Sequence, residues 1–147
     1  MALLREAIEA APHVWEFHVD LAKELLRQPG TPQQRRRVSA LFSAGARLQP
    51  HSCEAALRAA EFHISADSEE SRSQRLAEAY ARAACVNCAG GKEAVNACVL
   101  HANALAWAGD WAGAKTALET GLSFADKTDQ STKKYLLDHI RAVEKNI

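Results

Sequence analysis

Glycine and proline are scarce, at seven and four in 147 residues, and only 6% of the chain is aromatic, with two tyrosines. That composition argues against an all-β fold and against a Rossmann-type one. Neither sign of charge is in excess: 18 basic residues face 18 acidic ones, which removes the footprint of a general nucleic-acid binder. Long hydrophobic runs are missing too. The longest uncharged stretch, between Glu93 and Asp110, contains Asn96, His101 and Asn103 and falls short of the roughly 20 apolar residues that span a bilayer. A buried helix is expected there, and no membrane segment. The N-terminus carries Glu6 and Glu9 within its apolar stretch and lacks the basic-then-apolar layout of a signal peptide. No phosphate loop, dinucleotide fingerprint or activated nucleophile is found, so neither catalysis nor a cofactor is expected.

What the chain has is alanine and leucine, 30 and 15 respectively, both strong helix formers. At 16.0 kDa it can bury about two-thirds of its unfolded surface, so one domain over 1–147 needs neither a disulfide nor a metal to fold. The four cysteines, Cys53, Cys85, Cys88 and Cys98, then fit a reducing compartment, and the cytoplasm is the expected location.

Breakers divide the sequence into helices over 2–11, 14–28, 32–48, 52–65, 68–87, 92–108, 110–125 and 130–145. Thr31 followed by Pro32 places a hydroxyl at the N-cap and proline at the first helical position. Asp67 and Glu70 have the spacing of a capping box. In the last helix Tyr135, Leu136, Ile140 and Val143 share an apolar face.

Small residues recur. Ala7, Gly45, Ala84 and Gly121 are separated by 38, 39 and 37 positions, each near the end of the second helix of a pair, and Ala22, Ala60 and Ala102 recur in the first helices. A small side chain at a fixed helical position lets two backbones approach, which marks the crossing point of a repeated helical hairpin. Short loops make sequential helices antiparallel neighbours.

The segment NALAWAGDWAGAKTALETGLSFAD resembles a tetratricopeptide repeat, through Ala102, Leu105, Gly109, Asp110, Trp111, Ala114, Leu118 and Gly121. The match runs over about 95–128. Leu21, Ala22, Leu25, Val38, Phe42, Gly45 and Pro50 fit a second such repeat with extra residues at the PGTP turn. Ala59, Ala60, Ala77, Ala81 and Ala84 fit a third with a longer turn at SADSEE, so these repeats exceed the usual 34 residues. The resemblance implies an all-α, right-handed superhelical array of antiparallel hairpins, about three of them plus end helices. Residues 2–12 read as the second helix of a repeat without its first, which implies a truncated start or a fragment of a longer array; the last helix reads as a polar-backed cap.

The resemblance also implies a non-catalytic protein-interaction or scaffolding role, with a peptide or helix of another protein held in the concave groove, and membership of a larger assembly. Carried over, the exposed inner positions are Asp20, Lys23 and Arg27, then Glu54, Arg58 and Glu61, then Asn96, Asn103 and Trp107. Trp111 is expected between hairpins while Trp107 offers an edge to the groove. Val19, Leu57 and Glu61 are ill suited to the two-carboxylate clamp by which some members hold acidic C-termini.

Three further sets are weighed for chemistry. Cys85, Cys88, Cys98 and His101 form C-x-x-C-x9-C-x-x-H, a donor set that zinc accepts, which defines the alternative of a zinc- or thiol-dependent regulatory domain. With the helices antiparallel about the AGG turn, Cys85 and Cys98 come level, but Cys88 and His101 stand about 9 Å apart along the axis. That favours cysteines acting as small buried residues at a tight helix contact, and no metal site. His13, His18, His51, His63 and His139 are scattered and suggest surface or inter-helix packing. Arg35, Arg36 and Arg37 oppose the dipole of the helix they begin by a few tenths of a kcal/mol each, and read as a solvated face or a dock for an acidic partner.

Overall fold

Side chains placed just ahead of the helices do the capping. In the computed structural model, which describes residues 2–28, 30–65, 71–88, 90–125 and 129–147, the Thr31 hydroxyl accepts from the Gln34 amide at 3.1 Å. The Asp110 carboxylate accepts from the Gly113 amide at 2.9 Å, and that of Asp129 from the Thr132 amide at 3.0 Å. Each such cap is worth about 1 kcal/mol. The Asp67 and Glu70 capping box lies outside the described residues. Gly109, at φ +84°, ends one helix in a left-handed conformation that side chains avoid. Its amide and that of Asp110 bond back to the Ala106 and Leu105 carbonyls, the paired bonds of a Schellman motif.

Eight helices are found among the described residues: α1 (Ala2–Ala10), α2 (Trp15–Leu26), α3 (Pro32–Leu48), α4 (Cys53–Ser65), α5 (Ser71–Asn87), α6 (Gly91–Trp107), α7 (Trp111–Phe124) and α8 (Gln130–Glu144). No strand occurs among them, so the fold is all-α. None of these helices is long and apolar enough to cross a membrane.

Each helix packs on its neighbour in the chain, and α4 also touches α2 and α6, which sets α2, α4 and α6 in one row. Contacts at the ends show that the hairpins are antiparallel. A Cβ added to Gly45, late in α3, would lie 2.8 Å from Val19 Cγ2 near the start of α2. One added to Gly121, late in α7, would lie 3.2 Å from the Cβ of Cys98 in the first half of α6. Cys53, which opens α4, is bonded to Cys88 just past α5. Ala22, Ala60 and Ala84 have no exposed surface and Ala102 is 2% exposed, so small residues occupy the tight crossings from α2 to α7. At α1 the pattern stops: Ala7 is half-buried and the helix contains no fully buried residue.

Three apolar clusters fill the space between helices. One joins α2, α3 and α4 around Phe42, Leu21 and Val19; another holds Ala56, Leu57 and the small residues of α5 and α6; the third joins α6, α7 and α8 around Leu118 and Leu136. In α8, Leu136, Ile140 and Val143 are buried as their spacing predicts, but Tyr135 is half exposed, so it does not belong to the apolar face.

The cysteines differ from the expectation of free thiols. All four are paired, Cys53 with Cys88 and Cys85 with Cys98, each with Cα atoms 4.7 Å apart, within the range a disulfide accepts. The antiparallel register that makes Cys85 and Cys98 level was readable; that level cysteines would bond was not, because nothing in their spacing distinguishes packing from pairing.

Candidate functional site

On α2, Asp20, Lys23 and Arg27 follow a spacing of three and four residues and share one face; on α4, Glu54, Arg58 and Glu61 do the same. The row of first helices brings the two faces together. Lys23 Nζ lies 3.1 Å from Glu54 Oε1 and 4.0 Å from Asp20 Oδ1. Arg58 pairs with Glu61 at 2.9 Å, and Arg27 with Glu24 at 2.9 Å. These pairs are partly exposed, and such pairs contribute about 0–1 kcal/mol each, so a partner can displace them at little cost.

Lys23, Arg27, Arg58 and Glu61 also line one cavity of about 750 Å³, together with Leu26, Gln28, Gly30, Arg35, Phe42 and Phe62. Its floor is aromatic: Phe42 and Phe62 are both buried, with ring centroids 5.7 Å apart. Its rim is charged. Arg58 Nε is buried and makes no hydrogen bond within the chain. An orphaned donor of that kind costs about 1–3 kcal/mol.

The α6 residues are placed differently. Asn96 is exposed and lines a second cavity, of about 440 Å³, with Lys92, Asp129, Thr132 and Tyr135. Hydrogen bonds from Thr132 and Ser131 hold the Asp129 carboxyl below the usual carboxylate range. Asn103 is exposed and Trp107 is 47% exposed, and neither lines these two cavities. Trp111 is half-buried against the cluster of α6, α7 and α8.

Five cavity residues were not anticipated as site residues: Leu26, Gln28, Gly30, Phe42 and Phe62. The two phenylalanines are buried, at 2% and 9% exposure, and only Phe42 was named from the sequence, as a repeat position. Arg35 had a signal, since its basic run opens α3 with no acid in the first turn. Of that run Arg35 is half-buried at the cavity while Arg36 and Arg37 are exposed.

The zinc donor set is corrected by the disulfides. Bonded in pairs, Cys85, Cys88 and Cys98 offer His101 no thiolate with which to share a metal, and no group of three or more His, Cys, Asp or Glu among the described residues is arranged to hold one. The histidines pack instead. His18 Nε2 is 2.8 Å from the Pro12 carbonyl. His139 meets the edge of Tyr135 at 4.8 Å. His63 is 2% exposed, stacks on Tyr80 at 5.7 Å, and has its pKa lowered by burial to about 4. Burial also lowers that of His101, while His13 and His51 are exposed.

Comparison with protein-family models, with curated proteins and with solved structures finds no match to this chain.

Proposed function

We propose that this chain is a non-catalytic protein-interaction or scaffolding module, a right-handed superhelical array of the tetratricopeptide-repeat kind, which holds a peptide or helix of another protein along the row α2, α4 and α6. The observation that carries this reading is the cavity of about 750 Å³, where four residues picked for a groove surround an aromatic floor. A partly apolar concavity with a few convergent polar groups is what a binding site requires. The partner segment inserts a bulky apolar side chain against Phe42 and Phe62 and offers an acceptor to Arg58, while Trp107 anchors it further along the row. Glu61 within the rim argues against a simple clamp for a terminal carboxylate. Neither a cofactor nor a nucleic acid takes part. The proposed location is the cytoplasm, with the two disulfides there as reversible redox bonds.

A displayed peptide library selected on the intact chain tests this. Selected peptides are expected to weaken at least tenfold on Arg58→Ala, about the effect of a hot-spot residue, and to bind Arg141→Ala on α8 unchanged. Equal binding to both variants would overturn the groove assignment.

A further inference from the structure

Among the described residues the four cysteines form a reactive cluster that the groove leaves unused, and their two bridges differ in access. Cys53, the first residue of α4, is half-buried, whereas its partner Cys88 is 3% exposed, and Cys85 and Cys98 are 5% and 0% exposed. A thiolate opens a disulfide only by reaching one of its sulfurs. Cys53 is therefore the end at which the outer bridge is most exposed, with the Glu93 carboxylate 3.7 Å from its Sγ, and the inner bridge is shielded.

The spacing of Cys85 and Cys88 joins the two bridges. Residues three apart on a helix are neighbours, with Cβ atoms about 5–6 Å apart, and a disulfide needs about 3.8 Å. Cys88 lies just beyond Asn87, the last residue of α5, with Gly90 and Gly91 following at φ +124° and +73°. The Cys88 amide still bonds the Ala84 carbonyl at 2.9 Å, which keeps Cys88 one turn from Cys85, so the approach of the two sulfurs falls to rotation of their side chains and a slight tightening of this last turn.

We propose that Cys53, Cys85, Cys88 and Cys98 form a thiol–disulfide relay, in which a dithiol reductant opens the outer bridge and Cys88 carries the exchange to the inner one. The reductant thiolate attacks Cys53 Sγ, forming a mixed disulfide, and Cys88 leaves as a thiolate with the electron pair of the broken bond. The second thiol of the reductant then closes on its own sulfur in the mixed disulfide and releases Cys53, which takes up a proton. The reductant ends as a disulfide, and the outer bridge has gained two electrons. Cys88 next attacks Cys85 Sγ, a Cys85–Cys88 bond forms, and Cys98 leaves as a thiolate; this step transfers no net electrons. A second dithiol reduces the new bond, which lies at the C-terminal end of α5. The relay thereby couples thiol chemistry to the joints on both sides of α5, since the outer bridge ties it to α4 and the inner one to α6. It stands or falls independently of the groove.

The test reduces the oxidised, intact chain with dithiothreitol, quenches with acid, alkylates in denaturant and maps the bridges by mass spectrometry over time. In the wild type the outer bridge opens before the inner one. Cys53→Ser and the double variant Cys53→Ser/Cys88→Ser both lack the outer bridge and differ only in the relay thiol. The inner bridge is expected to open at least tenfold more slowly in the double variant than in Cys53→Ser. Equal rates in the two variants would overturn the relay, and so would an inner bridge that opens first in the wild type. Four free thiols, or other pairings, in the oxidised chain would contradict it without any variant.

Discussion

Replacing Gly45 by alanine sets two effects of known sign against each other. Alanine in a helix interior is favoured over glycine by about 0.5–1 kcal/mol, so at an open position the change stabilises. At Gly45 the new methyl would stand 2.8 Å from Val19 Cγ2, when carbon atoms pack best at about 3.5–4.0 Å. One side must retreat by roughly 0.7 Å or more. Val19 is 1% exposed within the cluster of Leu21, Leu25 and Phe42, and a β-branched side chain in a helix has little choice of χ1. Overpacking of a filled core costs about 1–3 kcal/mol, so the net result is a loss of about 1 kcal/mol, or about 2–4 °C in melting temperature. Urea unfolding followed by far-ultraviolet circular dichroism reads it directly. In a Val19→Ala background the obstructing methyl is gone, and the same Gly45→Ala change is expected to stabilise by its propensity gain of about 0.5–1 kcal/mol. If Gly45→Ala stabilises the wild type as much as it stabilises the Val19→Ala chain, the close α2–α3 crossing is refuted.

His63 titrates near 4 when folded and near 6.5 when free, so the folded state binds fewer protons and stability falls as pH drops below about 6.5. Between pH 7 and pH 5 this loss is about 2 kcal/mol, and His63→Phe is expected to lose that much less in urea titrations at the two pH values; identical losses would show that the ring is not buried neutral. Trp107→Ala is expected to leave stability within about 1 kcal/mol, whereas Trp111→Ala, half-buried in the last cluster, costs about 2–4 kcal/mol. In chains with Trp15 replaced and only one of these two tryptophans retained, acrylamide should quench Trp107 more strongly, and the reverse order would contradict the placement of both. A chelator is expected to leave the melting temperature unchanged, while full reduction lowers stability by about 3 kcal/mol or more, given loops closed over 35 and 13 positions; melting that responds to the chelator and not to the reductant would contradict the pairing.

Helix ends were legible where a capping side chain meets a special backbone residue. Thr31 with Pro32, and Gly109 with Asp110, carry their structural role in their own chemistry and needed no tertiary information. The tight crossings at Gly45, Ala84 and Gly121 were legible as well, because only a small side chain permits such an approach and its recurrence is a one-dimensional signal. Ala7 fits the same spacing without the same burial, since α1 packs through Leu4 and Ile8 on one side only. Tyr135 shows the limit of periodicity: a phenol on the edge of an apolar face is drawn to water by its hydroxyl. The site was half legible. The resemblance to a tetratricopeptide array selects Lys23, Arg27, Arg58 and Glu61, but Phe42 and Phe62 in the same cavity come from different helices, which only the packing of α3 against α4 brings together. The cysteine pairing failed for the same reason, since Cys53 and Cys88 meet through the α4–α5 fold and not through any spacing.

The central claim is that the row α2, α4 and α6 is a protein-binding face, and hydrogen–deuterium exchange of the intact chain with and without a library-selected peptide tests it most directly. Protection is expected over residues 20–27 and 54–61, the segments that frame the cavity, and across the exposed positions of α6 that include Asn103 and Trp107. Protection confined to the outward faces of α3, α5 and α7, or a library that yields no peptide bound by the chain, would contradict it.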